Sequence, residues 1–195
     1  RDGLRSTGAF LDGPGPERFD RVVDAAFDRI RANPVADAVM YGASAVGDHG
    51  IVWLALAGLR AVRAGHRAEA VRVVAIMAAE SATVNLGIKS LFRRVRPVVD
   101  GPRPLPLRIP RTSSFPSGHA TSAFCAAAVL SQGDRAGPAY YALAAVVAAS
   151  RVHVRIHHAS DVVAGVVVGT VLGRVARLIW PRGESRPRVG VFRRV

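Results

Sequence analysis

The chain has 195 residues, one domain's worth, and carries a formal net charge of +13 with a single cysteine. Half of it is apolar and 21% is charged, so the charges must be segregated, and the basic residues flank apolar runs as Lys and Arg do at a bilayer surface. That arrangement, with three Tyr and two Trp not interleaved in a basic stripe, excludes nucleic acid as a partner; the lone Cys125 can form no internal disulfide and reads as a small packing residue.

Residues 1–16, rich in Gly and Pro, read as a flexible arm with no cleavable signal peptide. Residues 17–33 read as an amphipathic helix with Phe19, Val22, Val23, Ala26, Phe27 and Ile30 on one stripe, ended by Asn33-Pro34. Such a helix either packs on its own protein or lies in the headgroup plane of a membrane. Residues 34–181 read as a helical bundle. Val35 to Val46 is a short helix and Gly47 to Gly50 a turn, followed by a membrane helix from about His49 to Arg63. Asp48 and His49 either meet a substrate headgroup or cap the following helix.

A basic turn at Arg60, Arg63, His66 and Arg67 precedes a long helix from Ala68 to Phe92, in which Ser81, Asn85 and Lys89 repeat every four residues with Glu80 close to the same stripe. The Arg- and Pro-rich loop of residues 93–114 is either a lid that meets anionic headgroups or a solvated connector, with Arg103, Arg108 and Arg111 only dissolving it. Apolar runs then cover Ala120 to Leu130, Ala139 to Ala149 and Val162 to Val171, with a tight turn over Ser131 to Pro138. Trp180 suits an interfacial anchor, and residues 182–195 read as a basic tail, disordered or lying against anionic lipid.

Three polar clusters punctuate these runs: Lys89 with Arg96-Pro97, then Pro116-Ser117-Gly118-His119, then Ser150-Arg151 with His157 and Asp161. The first ends a run, the second begins one, the third ends one and Asp161 begins the last, so an antiparallel bundle returns all of them to one face. Lys89, Arg96 and Arg151 are cations, and an arginine fork matches a phosphate or carboxylate bidentately. Ser117-Gly118-His119 opens a helix, where free backbone N–H groups favour an anion. His157 and Asp161 share a face if their segment is helical, so the carboxylate can hold one ring nitrogen protonated and leave the other bare as a nucleophile. His119, from another helix, is free to protonate a leaving oxygen and then to deprotonate a water. The set is a phosphoryl-transfer kit that calls for no cofactor and no metal. A cluster of His119, His153, His157 and His158 would hold a metal only against three nearby cations, which leaves His153 and His158 as structural or rim residues.

Together, Lys89-x6-Arg96-Pro97, Pro116-Ser117-Gly118-His119 and Ser150-Arg151-x5-His157-x3-Asp161 resemble the three-part signature of the type 2 phosphatidic acid phosphatase superfamily. The resemblance implies a phosphohistidine at His157, oriented by Asp161, with His119 as acid and then base. It implies that Lys89, Arg96, Ser117, Gly118 and Arg151 hold the phosphate oxygens. The expectation is therefore an all-α antiparallel bundle of five to six helices set in a membrane, with an N-terminal amphipathic helix. Its substrate is a lipid phosphate, meaning a polyprenyl phosphate, a polyprenyl-phosphoryl sugar phosphate or phosphatidic acid, and its other partners are membrane lipids. Because several apolar runs are shorter than a bilayer requires, a soluble acid phosphatase of the superfamily is the alternative, as is a vanadate-dependent peroxidase. Counting Arg60, Arg63, Arg67, Arg72, Arg135 and the tail at the end opposite the clusters puts the site on the extracytoplasmic face.

Overall fold

The computed structural model describes residues 14–64, 67–99, 102–110 and 112–182. The expected arm up to residue 13, His66, Arg111 and the tail beyond Arg182 lie outside the described residues. The described elements are helical: α1 (Pro14–Asp28), α2 (Pro34–Val46), α3 (Ile51–Ala64), α4 (Arg67–Ala82), α5 (Gly118–Leu130), α6 (Gly137–His153) and α7 (Ala159–Ile179). This is the expected bundle, six helices preceded by an amphipathic one. A 3-10 turn at Asp48–Gly50 joins α2 to α3, where the sequence breaks its apolar run.

The first helix differs from expectation at both ends. It begins at Pro14, inside the expected arm, and stops at Asp28 rather than at Asn33-Pro34. Ala32 takes a left-handed φ of 65°, and Asn33 instead caps α2, its side chain accepting from the backbone N–H groups of Val35 and Ala36. Val23 and Phe27 of α1 pack against Ala148, Val152, Ala159 and Val162, while Phe19, Val22 and Ile30 remain exposed. Arg31 straps the helix down by donating to the carbonyls of Val152 and His153 and to Asp24 and Asp28.

At the centre of the bundle stands α5. Its small residues let it be buried on every side, and Cys125 through Leu130 are all inside. Trp53, Val73, Met77 and Val147 from three neighbouring helices complete that core. Helix α7 lies along α5 in parallel, and glycines four apart permit the contact. A Cβ on Gly165 would lie 2.6 Å from the Ser117 carbonyl oxygen, and one on Gly169 would lie 2.2 Å from that of Thr121. A Cβ on Gly173 would lie 2.6 Å from that of Ala128. Backbone cannot yield there as a flexible side chain can. Gly169→Val is expected to destabilise the fold by about 3 kcal/mol, read as a lowered thermal midpoint in detergent.

The helical runs Arg67–Leu91 and Ala159–Ile179 are long and apolar enough to cross a bilayer, and the bent pair of α2 and α3 makes a third candidate. The apolar run seen in the sequence as Val162 to Val171 reaches span length because the helix continues through Arg174 and Arg177. Val163, Val167, Val171, Val175 and Leu178 form its exposed outer stripe.

Candidate active site

Each of the three polar clusters arrives on one end of the bundle, as the alternation of helix ends and starts requires. The run that carries Lys89 widens into a π turn over Thr83–Gly87 and tightens to a 3-10 turn over Ile88–Leu91 before Phe92 turns extended. Such a change of winding re-aims the side chains beyond it. Lys89 is buried facing the start of α5, so close that a Cβ on Gly118 would sit 3.4 Å from its Nζ. At that start, Ser117 is the N-cap residue but its hydroxyl makes no capping bond, and its backbone N–H donates to the Asp161 carbonyl at 3.0 Å, tying α5 to α7.

The spacing of Arg151 and His157 also has a local cause. The Arg151 carbonyl at the end of α6 accepts from the backbone N–H groups of Ile156 and His157, at 3.1 and 3.2 Å, closing a tight turn that returns His157 to the arginine. Arg151 is 0% exposed; Nη1 is hydrogen-bonded to the Ser44 hydroxyl, whereas Nε and Nη2 find no acceptor among the described residues. The buried Ser117 hydroxyl is likewise without a partner there. Buried donors left unsatisfied cost free energy unless something accepts from them, so these atoms are open to an acceptor.

Lys89, Arg96, Gly118, His119 and His157 line one cavity of about 250 Å³, joined by Asp48, Glu80, Asn85, Arg108 and Ser122. Arg96 reaches His157 Nε2 with Nη1 at 3.1 Å. Its other donors go to the carbonyls of Pro110, Thr112, Ser113 and Ile156, so the loop grips this guanidinium from several sides. Burial, reinforced by the charges of Arg96 and Arg151, holds the His157 imidazole far below its usual range, at about 3. It is therefore neutral at physiological pH.

The acid behind it does not sit as expected. His157 precedes α7, and the pair meets because Asp161, in the first turn, points back past the helix N-terminus rather than along a helical face. Asp161 Oδ2 lies 3.7 Å from His157 Nδ1, beyond hydrogen-bond length. Ser114 stands between: its hydroxyl donates to Asp161 Oδ2 at 2.5 Å and lies 3.4 Å from Nδ1. Asp161 is otherwise held by the His158 backbone N–H at 2.9 Å and by Arg94 Nη1 at 2.5 Å, and Arg94 Nη2 donates to Asp20 of α1 at 2.7 Å.

Asp20, on the polar face of the first helix, and Arg94 and Ser114, in the loop of residues 93–114, are not among the expected site residues. Ser114 had one signal, its place just ahead of the Pro116-Ser117-Gly118-His119 cluster. Asp48, read as a headgroup contact or a cap, pairs with His119, Oδ1 to Nε2 at 2.7 Å. His153 is buried against Asp37 at 2.7 Å and His158 approaches the Val95 carbonyl at 3.2 Å, so the four histidines do not converge. Of the loop arginines, Arg108 lines the cavity, while Arg103 staples the loop to the Val154 and Arg155 carbonyls.

Comparison with known proteins shows the family and the fold. The sequence pattern of the PAP2 superfamily matches residues 69–184. Decaprenylphosphoryl-5-phosphoribose phosphatase of Mycobacterium tuberculosis, in strains CDC 1551 / Oshkosh and ATCC 25618 / H37Rv, is 36% identical over 136 residues, 69% of this chain and 75% of that protein. The fold is similar to the crystal structure of a transmembrane PAP2-type phosphatidylglycerolphosphate phosphatase from Bacillus subtilis (TM-score 0.69, 23% identity, 87% of this chain and 88% of that one). It is also similar to LpxE of Aquifex aeolicus (TM-score 0.65, 22% identity, 82% and 93%).

Proposed function

Because the chain belongs to the PAP2 superfamily and is a phosphoric ester hydrolase, we propose that it removes the terminal phosphate of a polyprenyl-phosphoryl sugar phosphate through a phosphohistidine at His157. The observation that carries the reading is the set of buried donors without acceptors, on Arg151 and Ser117, beside a neutral imidazole already gripped by Arg96. The substrate class follows the named activity of the mycobacterial relative.

Lys89, Arg96, Arg151, the Ser117 hydroxyl and the Gly118 backbone N–H bind the phosphate oxygens and neutralise charge developing on them. His157 Nε2 attacks phosphorus, the bond to the leaving oxygen breaks, and His119, partnered by Asp48, gives that oxygen its proton. His119 then takes a proton from water as the water attacks the phosphohistidine, which releases inorganic phosphate and restores the free imidazole. Asp161, through Ser114, holds His157 in orientation. The three cations supply the charge that a metal would otherwise supply, and they repel a divalent ion.

The enzyme works as an integral membrane protein with its active end on the extracytoplasmic side, opposite Arg60, Arg67 and Arg135. Purified protein in right-side-out sealed vesicles, without added metal, is expected to release phosphate from polyprenyl-phosphoryl ribose 5-phosphate in the outer leaflet faster than from phosphatidic acid. Release only after the vesicles are opened would reverse the orientation, and preference for phosphatidic acid would remove the substrate.

The depressed pKa of His157 sets the acid limb. An imidazole titrating near 6.5 loses about thirtyfold of its free-base fraction by pH 5, whereas His157, at about 3, loses almost none. Phosphoenzyme formation, corrected for the substrate's own ionisation, is expected to hold its rate down to pH 5. Stability moves oppositely: below pH 6.5 only the unfolded chain takes up this proton, so the fold weakens as the pH falls toward 3.

A further inference from the structure

Glu80 is a carboxylate that the phosphoryl-transfer chemistry does not use. It stands on α4 within an apolar helical run, is 4% exposed and lines the catalytic cavity. One oxygen, Oε2, accepts from the Ser122 hydroxyl at 2.8 Å. The other, Oε1, has no hydrogen-bond partner among the described residues. A buried carboxylate oxygen without a donor is expensive, and an acid held so within a membrane helix marks a site.

The donor it lacks is best supplied by a hydroxyl. Lys89, Arg96 and Arg108 line the same cavity, and Lys89 is close enough to act on Glu80 electrostatically, so a cationic ligand group meets repulsion there. A hydroxyl brings a proton without charge. Ser122, which spends its own proton on Glu80, keeps lone pairs for a second hydroxyl, so carboxylate and serine together offer adjacent acceptors, as a polyol requires.

Position gives a second, independent argument. Glu80 is shared between the catalytic cavity and an apolar groove lined by Ile76, Ala79, Cys125, Leu172 and Ile179, between α4, α5 and α7. Along the molecule the order is cation cradle, then Glu80 with Ser122, then apolar groove. A lipid whose terminal phosphate is separated from its chain by a hydroxylated unit presents those chemistries in that order.

We propose that Glu80 and Ser122 form a hydroxyl-recognition subsite, which accepts from a polyol carried between the scissile phosphate and the lipid chain, with the chain seated in the adjoining groove. This rests on the phosphatase reading of the cavity and deepens it. The test compares polyprenyl-phosphoryl ribose 5-phosphate with its 2,3-dideoxy analogue. Wild-type protein is expected to favour the full substrate in kcat/KM by about tenfold or more, and Glu80→Ala to bring that ratio to within about threefold of one. Glu80→Gln, which keeps the volume and one acceptor, is expected to fall between and covers the case in which the alanine variant does not fold. A wild-type ratio near one, or a ratio that survives both substitutions, overturns the subsite. Failure of the wild type on both ribose lipids alongside turnover of phosphatidic acid would instead remove the substrate proposed above, and the subsite with it.

Discussion

Replacing His157 with alanine is expected to lower turnover about 10⁵-fold while changing the affinity for inorganic phosphate by no more than a few fold. No other basic nitrogen in the cavity can replace the imidazole in the proposed cycle: His119 Nε2 is engaged by Asp48, and the lysine and arginines are cations. The cradle should survive the loss. Arg96 is anchored by four carbonyls besides its contact with His157, and Arg151 is set by its own turn and by Ser44. Rapid quenching with labelled substrate measures the chemistry. Wild-type protein should carry an acid-labile, alkali-stable phosphoramidate, and the variant should carry no label. A variant that kept the label, or that kept turnover within tenfold, would place the nucleophile elsewhere.

What the sequence disclosed about this site follows from where its residues sit. Lys89, Ser117, Gly118, Arg151 and Asp161 each lie within a turn or two of a helix terminus. A terminus announces itself through the change from apolar run to polar cluster, and the alternation of ends and starts then fixes which clusters can meet. The same logic gave the bundle and the break between α2 and α3. It could not give contacts made by the polar face of a helix on a distant element. Asp20 is one of several acids on α1, and nothing in its local pattern separates it from Asp24 or Asp28, yet it alone reaches Arg94 and the Ser160 backbone N–H. Arg103 and Arg108 look alike in a basic loop, although one is a staple and the other faces the cavity. The four-residue spacing of His157 and Asp161 suggested a helical face, whereas the helix begins only after His157, and Ser114 fills the gap that this leaves.

Asp48 is the clearest case of a partner revealed only by the fold, and Asp48→Asn carries the second large expected effect. The 3-10 turn between α2 and α3 places its carboxylate 2.7 Å from His119 Nε2, and the Gly47 that precedes it packs against the same ring, where an added Cβ would lie 3.1 Å from Cδ2. A carboxylate on one imidazole nitrogen fixes the ring's orientation and stabilises the cation formed when the other step of the cycle loads a proton. An amide in its place keeps the shape but loses the charge and can present the wrong hydrogen-bonding partner to the ring. The expected loss in kcat is about 10²- to 10³-fold, with KM and phosphate affinity changed by less than about threefold, since in the proposed cycle His119 moves protons rather than binding the anion. Leaving-group chemistry separates this from a merely structural defect. With p-nitrophenyl phosphate the departing phenolate needs no proton, so the burst that reports phosphorylation of His157 should be nearly intact in Asp48→Asn, while the same step on an alkyl ester is slowed in full. Equal slowing of both would mean that Asp48 supports the walls of the cavity and not the acid within it.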